Sequence, residues 1–216
     1  MRFGLLLALA VTVYAQQQPP LPDLKVDATA GGSLLVVRNK AEVPLTAYFI
    51  ELVDYPGSAF TLAQDELLGG EAIPPGGEKR TQVTNMTIGA VPDYVKMQAA
   101  IYADGSTSGV AEKVAQMVGR RRAQLEAARE LITRLDKETA KPDLTEALAK
   151  WAEALKPPGK PNQNSPAWVN QAAKHSFVLY FKTQLDSQTP ADVLTHVRAT
   201  EAKLAASKPI LDDAKR

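Results

Sequence analysis

Two hydrophobic rhythms divide this chain, and they meet at the stretch Gly105, Ser106, Thr107, Ser108, Gly109. Upstream of it, strand-length runs rich in β-branched and aromatic residues are separated by glycine and proline. Downstream, apolar residues recur every three or four positions, the spacing of one helix face. Strands that precede helices, with few alternations between the two, predict an α+β architecture.

In the upstream part the best pair of strands is 33–39 and 45–53, joined by a polar connection that ends in Pro44. Along the second, alternation puts Leu45, Ala47, Phe49 and Glu51 on one face and Thr46, Tyr48, Ile50 and Leu52 on the other. Both faces are apolar enough for a central strand. Residues 54–70 read as a loop with a short helix near 62–68. A proline and glycine turn at 73–77 then leads to a strand near 80–86. Residues 94–102 read as the last strand, closed by the turn signal Asp104-Gly105. Six or seven strands in roughly 80 residues fit an immunoglobulin-like β-sandwich over 23–108, without the tryptophan and paired cysteines of antibody domains.

From 109 to 216 the pattern predicts a helical bundle of about four helices. Ala111, Val114, Val118, Arg121, Leu125, Ala128, Ile132 and Leu135 form one stripe of a long first helix, broken only by Arg121. Asp143 and Glu146 make a capping-box start for a second helix, whose Leu144, Leu148, Trp151 and Leu155 share a face. Pro157 and Pro158 stop it. Ser165-Pro166 and Thr189-Pro190 each place a capping side chain before a proline at the first helical position, opening a third and a fourth helix. Residues 157–164 hold proline, glycine and amides but no apolar anchor, and are expected to be a mobile connection.

Residues 1–15 read as a signal peptide: Arg2, an apolar run from Phe3 to Val13, and the small-x-small site Val13, Tyr14, Ala15. The run is too short to span a bilayer, which takes about 20 helical residues, and no later segment could do so. Residues 16–22 form a proline-rich leader expected to link or fray. The chain contains no cysteine, which excludes disulfides, thiolate metal sites and a cysteine nucleophile, and suits a bacterial periplasm or exterior. From 16 to 108 there are 6 basic and 11 acidic residues, and from 109 to 216 there are 18 basic and 13 acidic. Opposite charges of this kind can seat one half on the other or steer self-association.

Candidate chemistry is sparse. The glycine-flanked stretch 105–109 stands where a hydrolase nucleophile elbow would, but carries threonine at its centre. It reads instead as a turn in which Ser106, Thr107 or Ser108 caps the long helix. His175 and His196 are the only histidines, and neither has a second ligand nearby on its own helix, so no metal or other cofactor is expected. Arg120, Arg121 and Arg122 fan over about 200 degrees of helix and cannot form one flat patch. Arg121 points along the apolar stripe, toward carbonyls or carboxylates of the acidic half, while its neighbours face water. The run 177–181 is apolar around most of the helix and reads as bundle core. Its alternative is a partner-binding face built from Trp168, Phe177, Tyr180 and Phe181, residue types that anchor interfaces.

At Val36, Val37, Arg38 and Asn39, at 44–48, and at 100–106, the chain resembles exported bacterial proteins of unknown function. They share an asparagine-ended strand, a proline-led second strand and an aspartate-glycine turn before a basic helix. The resemblance covers roughly 34–125 and implies a shared immunoglobulin-like fold, with no catalytic residues. The expected function is that of a noncatalytic exported interaction or structural protein, in the periplasm or outside the cell. It would meet an envelope protein, a glycan or a second copy, and export argues against nucleic acid as a partner. The alternative is a hydrolase or glycan-acting enzyme with its site in the crevice between the two modules.

Overall fold

The computed structural model describes residues 18–30, 32–54, 58–84, 94–137, 141–159 and 165–209. The expected signal peptide lies outside them, as does most of the connection at 157–164. The strands come first: β1 (Asp23–Thr29), β2 (Gly32–Arg38), β3 (Leu45–Asp54), β4 (Ser58–Asp65), β5 (Glu78–Val83), β6 (Tyr94–Tyr102) and β7 (Thr107–Gly109). A single helical turn, α1 (Glu66–Gly69), sits between β4 and β5. Four long helices follow: α2 (Ala111–Lys137), α3 (Lys141–Leu155), α4 (Pro166–Ser187) and α5 (Pro190–Ala206). The α+β reading therefore holds.

Two antiparallel sheets form, one in the order β1-β2-β5 and one in the order β4-β3-β6-β7. Leu35 and Val37 of the first share an apolar cluster with Tyr48, Ile50, Leu52, Ala100 and Tyr102 of the second. Each large apolar side chain buried there contributes about 1.5–3 kcal/mol. β2 and β3 are thus not hydrogen-bonded neighbours but lie in opposite sheets, and their connection crosses between them. Asn39 anchors that crossing. It is fully buried, its amide donates to the Val43 and Ile73 carbonyls at 2.9 Å each, and its oxygen accepts from the Ala41 N–H.

β3 is central, as expected, with β4 on one side and β6 on the other. Its faces depart from simple alternation at one point. Leu45 pairs with Tyr102 and Ala47 with Ile101, so Thr46 is the extra residue of a bulge. The bulge sends Leu45 into the core between the sheets, and Thr46 bonds toward the helices. Residues 58–65, read as part of a loop, pair with β3 as an edge strand, and the short helix begins four residues later than expected, at Glu66.

β6 is not the last strand. Residues 107–109 fold back on it as β7, so the stretch 105–109 does not cap the long helix. Ser106 instead closes a turn on the Asp104 carboxylate, which those bonds hold below its ordinary pKa, and Ser108 is buried against the Tyr102 hydroxyl. Gly109, at φ +94°, lies so close to the Gln98 carbonyl that a side chain would strike it. The leader does not fray at 20–22: Leu21 packs on the core and the Tyr102 hydroxyl donates to the Pro20 carbonyl at 2.6 Å.

The far face of the second sheet carries Ala47, Phe49, Ala99 and Ile101, which pack against Val114, Met117 and Val118 of α2. α2 then packs on α4 and α5, and α3 on α4, around a cluster that includes Leu131, Leu148, Val178, Phe181 and Val197. Ser165 and Thr189 cap α4 and α5 as predicted, and Asp192 completes a capping box at α5. α3 starts at Lys141, with Pro142 in its first turn, so Asp143 lies inside the helix rather than at its cap.

Candidate functional site

The three consecutive arginines of α2 have separate fates. Arg121 is fully buried where α2 crosses the second sheet. Its Nε and Nη2 donate to the two oxygens of Asp65 at 2.6 and 2.9 Å, a bidentate arrangement. Nη2 also reaches the Thr46 hydroxyl at 3.1 Å, and Nη1 reaches the Lys208 carbonyl at 3.2 Å. Asp65 in turn caps α1 through the Leu67 N–H, and Thr46 donates onward to the Ile101 carbonyl. The expectation that Arg121 binds a carboxylate of the acidic half is met. Side-chain bonds join β3, the end of β4 and α2, and a backbone carbonyl brings in the segment after α5.

Arg120 departs from expectation. It does not face open water but is half-buried in a cleft of about 310 Å³ between the second sheet and the helices. One wall is Ala47, Ala63, Gln64 and Asp65 with Leu68 of α1. The opposite wall is Met117, Arg120 and Gln124 of α2. Phe177, Tyr180 and Phe181 of α4 close it with an aromatic side, and Ser176 and Thr200 lie at its polar edge. Burial pushes the Arg120 guanidinium below the ordinary arginine value, and the nearby Asp65 charge only partly opposes this. Asp65 itself is engaged by Arg121. The Arg120 side chain makes no hydrogen bond to a described residue, and neither does that of Gln124, which is 6 % exposed. Neither side chain has a polar atom sealed from solvent, so both present free donors to the cleft.

Four of the seven residues singled out from sequence line this cleft: Arg120, Phe177, Tyr180 and Phe181. Phe177 and Phe181 belong to the helical core as well, while Tyr180 stays 45 % exposed at the rim. Arg121 lies behind the wall. Arg122 is half-buried and does not line the cleft. Trp168 is elsewhere too, its indole donating to the Pro158 carbonyl at 3.0 Å and so tying α4 to the start of the preceding connection. Gln124 escaped the sequence reading, although Met117, Arg120 and Gln124 at spacings of three and four share a helix face beside the apolar stripe.

His196 packs edge-on against Tyr180 and Phe181, with ring centroids 6.1 and 5.1 Å away. Among the described residues, no three histidine, aspartate or glutamate side chains gather to hold a metal ion, and no helix is long and apolar enough to cross a membrane. Comparison with protein-family models, with curated proteins and with solved structures finds no match to this chain.

Proposed function

We propose that this chain is a noncatalytic exported interaction protein, built as an immunoglobulin-like β-sandwich and a helical bundle that together form one binding cleft. The sandwich assignment is supported by three strands facing four in the order β1-β2-β5 and β4-β3-β6-β7, with core residues alternating inward from both. The apolar run and small-x-small site within residues 1–15 support export. The observation that carries the binding role is the pair Arg120 and Gln124, both lining the cleft and both with side chains that bond to no described residue. An enzyme would need an activated nucleophile or a free acid–base pair there. The cleft's carboxylate, Asp65, is held by Arg121, and the Thr200 hydroxyl donates to the His196 carbonyl.

Retention of partners from a bacterial envelope extract tests this reading. The chain from residue 16 onward is expected to hold a reproducible protein partner, and Arg120→Ala and Tyr180→Ala are expected to lose it. Equal retention by both variants, or turnover of a cell-wall glycan or ester by the wild type, would sink the proposal.

A further inference from the structure

We infer that the cleft takes a small organic monocarboxylate whose body is apolar or a flat ring, with Arg120 and Gln124 holding the acid group. The inference rests on the reading of the cleft as a binding site and adds the chemistry of what enters it. Arg120 and Gln124 stand four residues apart on α2, so their side chains meet on one face about 5–6 Å apart at Cβ. A guanidinium and a primary amide at that spacing offer donors to the two oxygens of one carboxylate.

Charge decides against a more highly charged acid. Asp65 and Arg121 neutralise each other in their bidentate pair, which leaves the single positive charge of Arg120 in the cleft. One negative charge on the ligand balances it. A second, as on a phosphate monoester, would face Asp65 with no cation left to meet it.

Size and walls define the rest of the ligand. A volume of about 310 Å³ sits at the lower end of the range for small-molecule pockets, roughly 300–1,000 Å³. Ala47, Ala63 and Leu68 on one wall and Met117 on the other are apolar, and Phe177 and Tyr180 offer ring faces and edges. A phenyl ring or a short alkyl chain suits that lining, whereas a sugar ring would bring hydroxyls to walls that cannot answer them.

Titration calorimetry on the chain from residue 16 onward tests this with 3-phenylpropanoate and octanoate, each against its primary amide, and with phenyl phosphate as the dianion. Both carboxylates are expected to bind, the amides and the phosphate at least about tenfold more weakly. Arg120→Gln is expected to cost about 10- to 100-fold in carboxylate affinity, the range for losing a charge-assisted hydrogen bond, and to leave amide affinity unchanged. Arg120→Lys is expected to recover part of the loss. Carboxylates and amides that bind equally, with Arg120→Gln indifferent, would overturn the acid assignment while leaving the cleft as a binding site. If no probe binds, the assignment also falls. The cleft reading then falls with it only when Arg120→Ala and Tyr180→Ala retain the envelope partner.

Discussion

Single side chains in this protein divide into those whose polar atoms are answered and those that are not, and the two kinds respond differently to substitution. Asn39 belongs to the first: two carbonyls and one N–H depend on its buried amide. Asn39→Ala is expected to lose about 3 kcal/mol of unfolding free energy in urea, because those groups stay buried without partners. Tyr48 belongs to the second. Its fully buried hydroxyl has no hydrogen-bond partner among the described residues, the Thr81 hydroxyl falling short of bonding geometry. Burial, followed by the negative charge of Glu66, pushes its pKa up from 10.0 to about 12. The unfolded chain therefore releases this proton first, and the stability it contributes is complete below pH 10 and lost as pH rises toward 12. Tyr48→Phe is expected to keep or raise stability at pH 7 and to flatten the decline between pH 10 and 12. A loss at neutral pH in urea unfolding would show that the hydroxyl is satisfied.

Elements were legible in the sequence where their signal is local. The starts of α4 and α5 could be read because Ser165 and Thr189 precede prolines and cap within their own first turns. Thr189→Ala is expected to cost about 1 kcal/mol, seen as a lower melting temperature, since it removes the hydroxyl that accepts from the Asp192 N–H and leaves only the bond from its own N–H to the Asp192 carboxylate. β3 was legible because both its faces are apolar. β4 and β7 were not. β4 is an edge strand carrying Ser58, Gln64 and Asp65, and β7 has three residues; both exist through pairing with β3 and β6, which no local pattern records. The bulge at Thr46 was equally hidden, yet it helps place Thr46 against Arg121. Helical periodicity also picked out Arg121 as the one polar residue in an apolar stripe, and that anomaly foretold its role. Arg120 and Gln124 carried no such anomaly: their meaning depends on β3, β4 and α4 converging on one face of α2.

At the scale of the molecule, α2 is the shared wall of two cores. One side meets the second sheet at Phe49, Ala99 and Ile101, and the other meets α4 and α5. The acidic upstream half and basic downstream half meet in a largely buried ion pair, fully buried Arg121 with Asp65, whose side chain is 16 % exposed, and removal of one side strands the other charge. The cleft exists because the same crossing leaves a gap beside that pair, with Arg120 turned into it. Adjacent arginines thus differ: Arg121 fastens the second sheet to the helices, and Arg120 is the one we propose meets a ligand.

Urea unfolding of Arg121→Ala beside Arg120→Ala tests that division most directly. Arg121→Ala is expected to lose about 3–5 kcal/mol, the cost of breaking a buried pair. Arg120→Ala, which loses no hydrogen bond, is expected to stay within about 0.5 kcal/mol of the wild type. Equal losses, or an Arg121→Ala protein as stable as the wild type, would contradict the account.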